Sequence, residues 1–190
     1  HHKWEDQLSG EKSAPVPFEG QLGGFTIHGE TGPIIDGRQT FYRCSKLNEK
    51  DRLKVWIRHL CVSAFLPEKG IVTGHFATDK ERTLPAMDEK VARQFLQSLL
   101  QVYVGGMSEA LPFFPKSSLA YIEEMKTKSG DSSVALIEAR KKWNGSQFSH
   151  PEKEDAAVRL CYRSEPFKDT DFAGIAGTVY SPMLEMEQEQ

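Results

Sequence analysis

The chain has 190 residues, 38% of them hydrophobic, and a formal net charge of -3. That length is enough to bury a core as one domain, and the slight acidity excludes a dispersed nucleic-acid footprint, so any such contact has to come from a local basic patch. Three widely spaced cysteines, Cys44, Cys61 and Cys161, fit a reducing cytoplasm, and the lack of any apolar run of about 18 residues or of a signal-peptide pattern argues against membrane insertion and export.

Residues 1–19 mix charge with Ser13, Pro15 and Pro17 and read as an extended entry segment or linker remnant, and His1-His2 are set aside as a native or tag sequence. From Gly20 the pattern changes. Leu22, Phe25 and Ile27 with interleaved glycines read as a strand, Gly32-Pro33 as a turn, Ile34-Ile35 as a second strand ending at Asp36-Gly37, and Thr40 to Lys46 as a third. Strands so close in sequence predict an antiparallel meander. Asn48 is placed to cap a helix whose apolar face is Leu53, Trp56, Ile57, Leu60 and Ala64. Pro67 ends it, and the β-branched run Gly70 to Phe76 predicts a fourth strand beside the first three, followed by a charged turn at Asp79 to Arg82.

After Leu84 the pattern is helical. Asp88 caps a helix carrying Val91, Phe95, Leu99 and Val102 and stopping at Gly105-Gly106. Leu111 to Pro115 reads as a loop whose phenylalanines plug a core, and Lys116 and Ser117 open a further helix to about Thr127. Asp131 caps Val134 to Trp143, Ser149 with Glu152 makes a capping-box spacing before Ala156 to Tyr162, and a last helix runs from about Asp169 to Tyr180. Residues 186–190 form an acidic tail expected to fray. The order predicts an α+β (mixed α/β) fold, a small mainly antiparallel sheet with several packed helices, in one domain over 20–185.

Chemistry-bearing motifs are scarce. There is no GxxxxGK[ST] loop, no GxSxG and no HxH or HExxH spacing, so no catalytic residue, metal site or cofactor is assigned to this chain. Gly20, Gly23 and Gly24 lie in a strand context that points to a bulge or a close backbone approach. The basic row Lys50, Lys54 and Arg58, one residue per helical turn with Arg52 beside it, is the candidate DNA-binding surface, set against the plainer alternative of a solvated helix face.

The order of the segments GGFTIHGETGPIIDGRQTFYRCSKLNEKDRLKVWIRHL, ALPFFPKSSLAYI, ALIEARKKWNG and the stretch from Glu152 to Glu185 resembles the C-terminal domain family of the exodeoxyribonuclease V gamma chain (RecC). DRLKVWIRHL and LPFFPKSSLAY are the most specific parts. The resemblance implies an inactive PD-(D/E)XK nuclease-like fold. Active relatives carry an Asp after a Gly in one strand and an Asp-Tyr-Lys-like triplet in the next, holding Mg²⁺. Here those places fall on Glu30 to Gly32 and on Phe41, Tyr42 and Arg43, so Glu30, Gly32, Phe41 and Arg43 are expected to form a degenerate former active site. Phe41 replaces a ligand with a hydrophobe, and Arg43 does not give up a proton.

The resemblance further implies a cytoplasmic, non-catalytic role in DNA handling and subunit assembly, in recombinational double-strand break repair and the degradation of linear duplex. Its partners would be the beta chain (RecB), the alpha chain (RecD) and duplex and single-stranded DNA, with ATP and Mg used by the partner subunits. Two alternatives stand beside it: a metal-dependent nuclease using Glu30, Asp36 and a lysine such as Lys46, and a purely protein-binding module.

Overall fold

The computed structural model describes residues 12–128, 130–147, 149–167 and 170–189. His1-His2, the rest of the entry segment before Lys12, and Asp169 lie outside the described residues. The chain divides into two compact units: residues up to Gln97 together with the C-terminal residues from Met186, and Ser98–Glu185; the segment 20–185 runs through both. Helices and small, mainly antiparallel sheets make this the α+β class expected from the order of patterns.

In the first unit the main sheet has the order β1-β4-β5-β6-β7-β8, from strands Lys12–Ser13 (β1), Ile34–Ile35 (β4), Arg38–Tyr42 (β5), Val72–Phe76 (β6), Glu81–Leu84 (β7) and Gln188–Glu189 (β8). Asp36 and Gly37 both take positive φ, 49° and 75°, and turn β4 back onto β5. A two-residue loop with both residues left-handed matches the twist of the strands it joins. Strand β5 ends at Tyr42 rather than Lys46, though the Arg43 N–H still donates to the Phe76 carbonyl at 2.8 Å.

The segment Gly20 to Ile27 is two strands, not one. Pro17–Leu22 (β2) and Phe25–Glu30 (β3) form a separate hairpin that turns at Gly23-Gly24, with φ of 57° and 82°. Gly20 is where the backbone approach is close: a Cβ there would lie 2.2 Å from Phe65 Cε1, in a ring stacked on Phe18 at 5.9 Å.

Helix α1 (Glu49–Phe65) begins where expected, with Asn48 Oδ1 accepting from the Asp51 N–H at 2.9 Å, and gives way to a 3₁₀ turn at Pro67–Lys69. It carries the chain across to β6, which lies parallel to β5 with Phe41 opposite His75. The buried positions are Arg52, Val55, Trp56, His59, Leu60, Val62, Ser63 and Ala64, while Ile57 stays 38% exposed. Hydrophobic periodicity found Trp56, Leu60 and Ala64 but placed the face too far toward Ile57. The true face is completed by polar side chains, including His59, whose Nδ1 lies 2.9 Å from Thr73 Oγ1.

Three strands escaped the pattern: β1, inside the supposed entry segment, pairs with β4. The supposed charged turn at Asp79 to Arg82 supplies half of β7, which pairs antiparallel with β6, and the supposed frayed tail returns as β8 with Gln188 opposite Thr83. Four- and two-residue strands carry too few alternations to register as a period.

Helix α2 (Glu89–Ser108) starts with Asp88 Oδ1 accepting from the Lys90 and Val91 N–H groups at 2.9 and 3.2 Å, and runs through Gly105-Gly106 instead of stopping there. Neither glycine is left-handed, so each costs helix propensity without acting as a stop.

The second unit contains helices α3 (Pro115–Met125), α4 (Ser132–Asn144), α5 (Ala156–Cys161) and α6 (Thr170–Met186). Phe114, 1% exposed, is its hub, with ring centroids 4.8 Å from Trp143 and 5.1 Å from Tyr162. The capping-box expectation fails here. Asp155 caps α5 by accepting from the Ala157 N–H, and Glu152 instead caps α3, accepting from the N–H groups of Lys116 and Ser117 at 2.9 and 2.8 Å and from Ser117 Oγ at 2.7 Å. Helix α6 passes through Pro182 to Met186, beyond the expected end at Tyr180. Tyr180 and Met183, both fully buried, anchor it on either side of the proline.

Candidate nucleic-acid interface

Lys50, Lys54 and Arg58 project from successive turns of α1 on its exposed side, as their spacing of four requires. Arg58 is drawn back toward the sheet: its guanidinium carbon lies 5.4 Å from the centroid of the Phe41 ring. That contact places a cation over an aromatic face with its donors still available to solvent and ligand.

Arg52 does not belong to this surface. It is 5% exposed, its Nη2 donates to Glu187 Oε2 at 2.5 Å and its Nε to Oε1 at 3.4 Å, and Arg82 Nη1 donates to Glu187 Oε2 at 3.0 Å. The expected DNA-binding role is therefore corrected to an internal one, a buried clamp between α1, β7 and the residue that precedes β8. Spacing alone put Arg52 near the row, and the strand that brings Glu187 back was not legible. His75 sits in the same field, its pKa lowered chiefly by burial, with Asp51 and Glu187 opposing that shift and Arg52 and Arg82 adding to it.

The expected former active site separates into two places. Gly32 and Phe41 lie together, since a Cβ on Gly32 would sit 3.6 Å from Phe41 Cζ, and the Gly32 N–H donates to Gln39 Oε1 at 2.8 Å. Glu30 lines a pocket of about 240 Å³ with Phe18, Gly29, Gln39, Arg58, Cys61 and Val62. Arg43 is elsewhere, paired with Asp51 in the first turn of α1 and donating to Ser45 Oγ. The carboxylate and the arginine of the degenerate set thus have different surroundings.

The side chains of the alternative metal set are no closer. Asp36 lies in the turn before β5 and Lys46 beyond its other end, so a five-residue strand of roughly 17 Å separates them. Among the described residues no group of three or more His, Cys, Asp or Glu side chains is arranged to hold a metal ion. His59 is enclosed between α1 and β6, and burial lowers its pKa to about 4 against a smaller opposing effect from the Pro85 carbonyl. Burial likewise raises the Cys61 thiol to about 11, with Arg58 pulling weakly the other way.

Sequence reasoning passed over Gln39. It is fully buried, and with Oε1 committed to Gly32, its Nε2 has no hydrogen-bond partner among the described residues. Its alternation with Phe41 along β5 was the available signal, but a glutamine on a short strand reads as solvent-facing unless the neighbouring hairpin is known.

No helix among the described residues is long and apolar enough to cross a membrane. In comparisons with known proteins, the family model described as the RecC C-terminal domain matches residues 1–126. No curated protein matches the chain.

Proposed function

Because the chain belongs to the RecC C-terminal domain family, and so to the RecBCD (exodeoxyribonuclease V) assembly, we propose that it is a non-catalytic domain that binds DNA and helps hold the subunits together. One observation carries this reading: Lys50, Lys54 and Arg58 form an exposed cationic row on α1, while the strand before that helix carries Phe41, and Arg43 follows its end, where a nuclease would keep its metal ligands. The row suits phosphates because each cation released from its counterions adds sequence-independent affinity. In this account the assembly acts in recombinational double-strand break repair and in degrading linear duplex in the cytoplasm. The beta chain (RecB) and alpha chain (RecD) are its partners and supply the chemistry that uses ATP and Mg²⁺. Residues 20–185 serve as the nuclease-like module, joined through 1–19.

The test is the salt dependence of forked-duplex binding by the assembled complex. Lys50→Glu with Lys54→Glu is expected to weaken binding on every sequence and to flatten the slope of log affinity against log salt by about 2, one for each lost phosphate contact. An unchanged slope refutes the DNA role of the row and leaves a protein-binding module. A linear duplex cut in the presence of Mg²⁺ or Mn²⁺, with cutting abolished by Glu30→Ala, replaces the proposal with a metal-dependent nuclease.

A further inference from the structure

The second unit holds a cavity of about 560 Å³, within the size range of ligand sites, where three pieces of chain meet. The end of α4 supplies Asn144, the 3₁₀ turn Glu152–Glu154 supplies Lys153, and α5 with the loop after it supplies Arg159, Arg163 and Ser164.

Its charge is not balanced from within. Two carboxylates line it, and both are engaged elsewhere: Glu165 Oε1 accepts from Arg140 Nε at 2.8 Å, and Glu154 Oε2 lies 3.8 Å from His150 Nδ1. Lys153 Nζ donates to the neutral Asn144 Oδ1 at 3.0 Å, and among the described residues neither the Arg159 nor the Arg163 guanidinium has a hydrogen bond, ion pair or ring contact. Three cations therefore line one concave surface with no anion committed to any of them. Their backbone is also held in place. The Tyr162 ring packs edge-on to Phe114 at 5.1 Å and its hydroxyl donates to the Ala110 carbonyl at 2.6 Å, while Glu165 is tied to Arg140, so the chain is fixed on both sides of Arg163 and Ser164. Donors placed before a ligand arrives lower the cost of binding it.

Resting on the DNA-binding reading above, we propose that this cavity is a second DNA contact, one that takes the sugar-phosphate backbone of a strand. Guanidinium forks pair with phosphate oxygens two at a time, and Lys153 and the Ser164 hydroxyl add donors beside them. A single side-chain carboxylate would answer one of the three cations, whereas a strand brings an anion with every nucleotide. Contacts of this kind carry no sequence information, so binding here is indifferent to base.

The test uses the assembled complex and forked duplexes of unrelated sequence. Arg159→Glu with Arg163→Glu, both at exposed positions, is expected to flatten the slope of log affinity against log salt by about 1.5, two contacts at about 0.7–0.9 each. Lys128→Glu with Lys142→Glu, exposed cations of the same unit outside the cavity, is expected to leave the slope unchanged. Modification of arginines by a dicarbonyl reagent, read by mass spectrometry, is expected to slow severalfold at Arg159 and Arg163 when DNA is bound. No added protection by DNA, the result also given by a cavity already filled by a partner subunit, overturns the proposal. Equal protection by inorganic phosphate at the same ionic strength overturns it as well, since the cavity then takes a free anion, and so does an equal flattening by the Lys128 and Lys142 reversals. An unchanged slope for the cavity pair beside a flattened one for Lys50→Glu with Lys54→Glu overturns this proposal and leaves the row. If neither pair alters the slope, the DNA reading falls and takes the cavity with it.

Discussion

Glu187→Gln is the sharpest test of how the first unit is held together. The carboxylate is 5% exposed and takes hydrogen bonds from Arg52, at 2.5 and 3.4 Å, and from Arg82, at 3.0 Å, with the arginine side chains 6% and 12% exposed. Replacing it with a neutral amide removes the buried carboxylate that the two guanidiniums share. Removing one partner of a buried ion pair costs about 3–5 kcal/mol, which is a large share of a typical stability of about 5–15 kcal/mol. For a chain of this size that corresponds to a fall in Tm of roughly 10 °C. Urea denaturation of the 190-residue chain, followed by tryptophan fluorescence, measures it directly, since Trp56 lies on the same buried face of α1 as Arg52. Lys50→Glu, on the exposed side of that helix, should stay within about 0.5 kcal/mol of the parent. A Glu187→Gln protein within about 1 kcal/mol of the parent, or an Arg52→Ala protein that keeps its stability but loses DNA affinity, refutes the assignment of Arg52 to the clamp.

Three further outcomes follow from the geometry. With a folded pKa of about 4 against 6.5 in the unfolded chain, His59 favours the fold only while neutral, so its contribution is complete above about pH 6.5 and is lost as the pH falls toward 4; that window spans about 3 kcal/mol, and His59→Gln should flatten the stability-pH profile across it. Glu152→Ala should cost about 2–3 kcal/mol by stranding the first N–H groups of α3, whereas Ser149→Ala should cost less than about 0.5 kcal/mol, the reverse of what a capping box would give. Gly20→Ala should cost about 1–3 kcal/mol by driving Phe65 out of its stack with Phe18, which near-ultraviolet circular dichroism would register as a loss of aromatic signal.

What the sequence made legible depends on whether a signal is local. Asn48, Asp88 and Asp131 all cap the helices assigned to them, because a cap is satisfied within three residues. The Ser149–Glu152 spacing is just as local and still misled, since the Glu152 carboxylate is spent 35 residues away on Ser117. Gly23-Gly24 misled in another way: Leu22, Phe25 and Ile27 follow one another so closely that the apolar run shows no gap where the chain reverses, and only the shift from even to odd positions marks the turn. Pro182 and Gly105-Gly106 are strong stop signals by propensity and were overridden by the helices that contain them.

The same distinction governs the candidate site. Residues that act on their own at a surface, such as Lys50 and Lys54, show in the spacing of one helix. Those whose meaning comes from a partner do not: Arg52 looks like a fourth member of the cationic row until Glu187 arrives from 135 residues away. Gln39 looks like a solvent-facing strand residue until Gly32 fixes its amide and the β2–β3 hairpin supplies Phe18, Gly29 and Glu30 to the pocket it lines. A charge-reversal scan that counted Arg52 with the row would mix a loss of fold with a loss of DNA affinity and overstate the surface. Separating the two leaves a narrower cationic row of Lys50, Lys54 and Arg58 on the exposed side of α1.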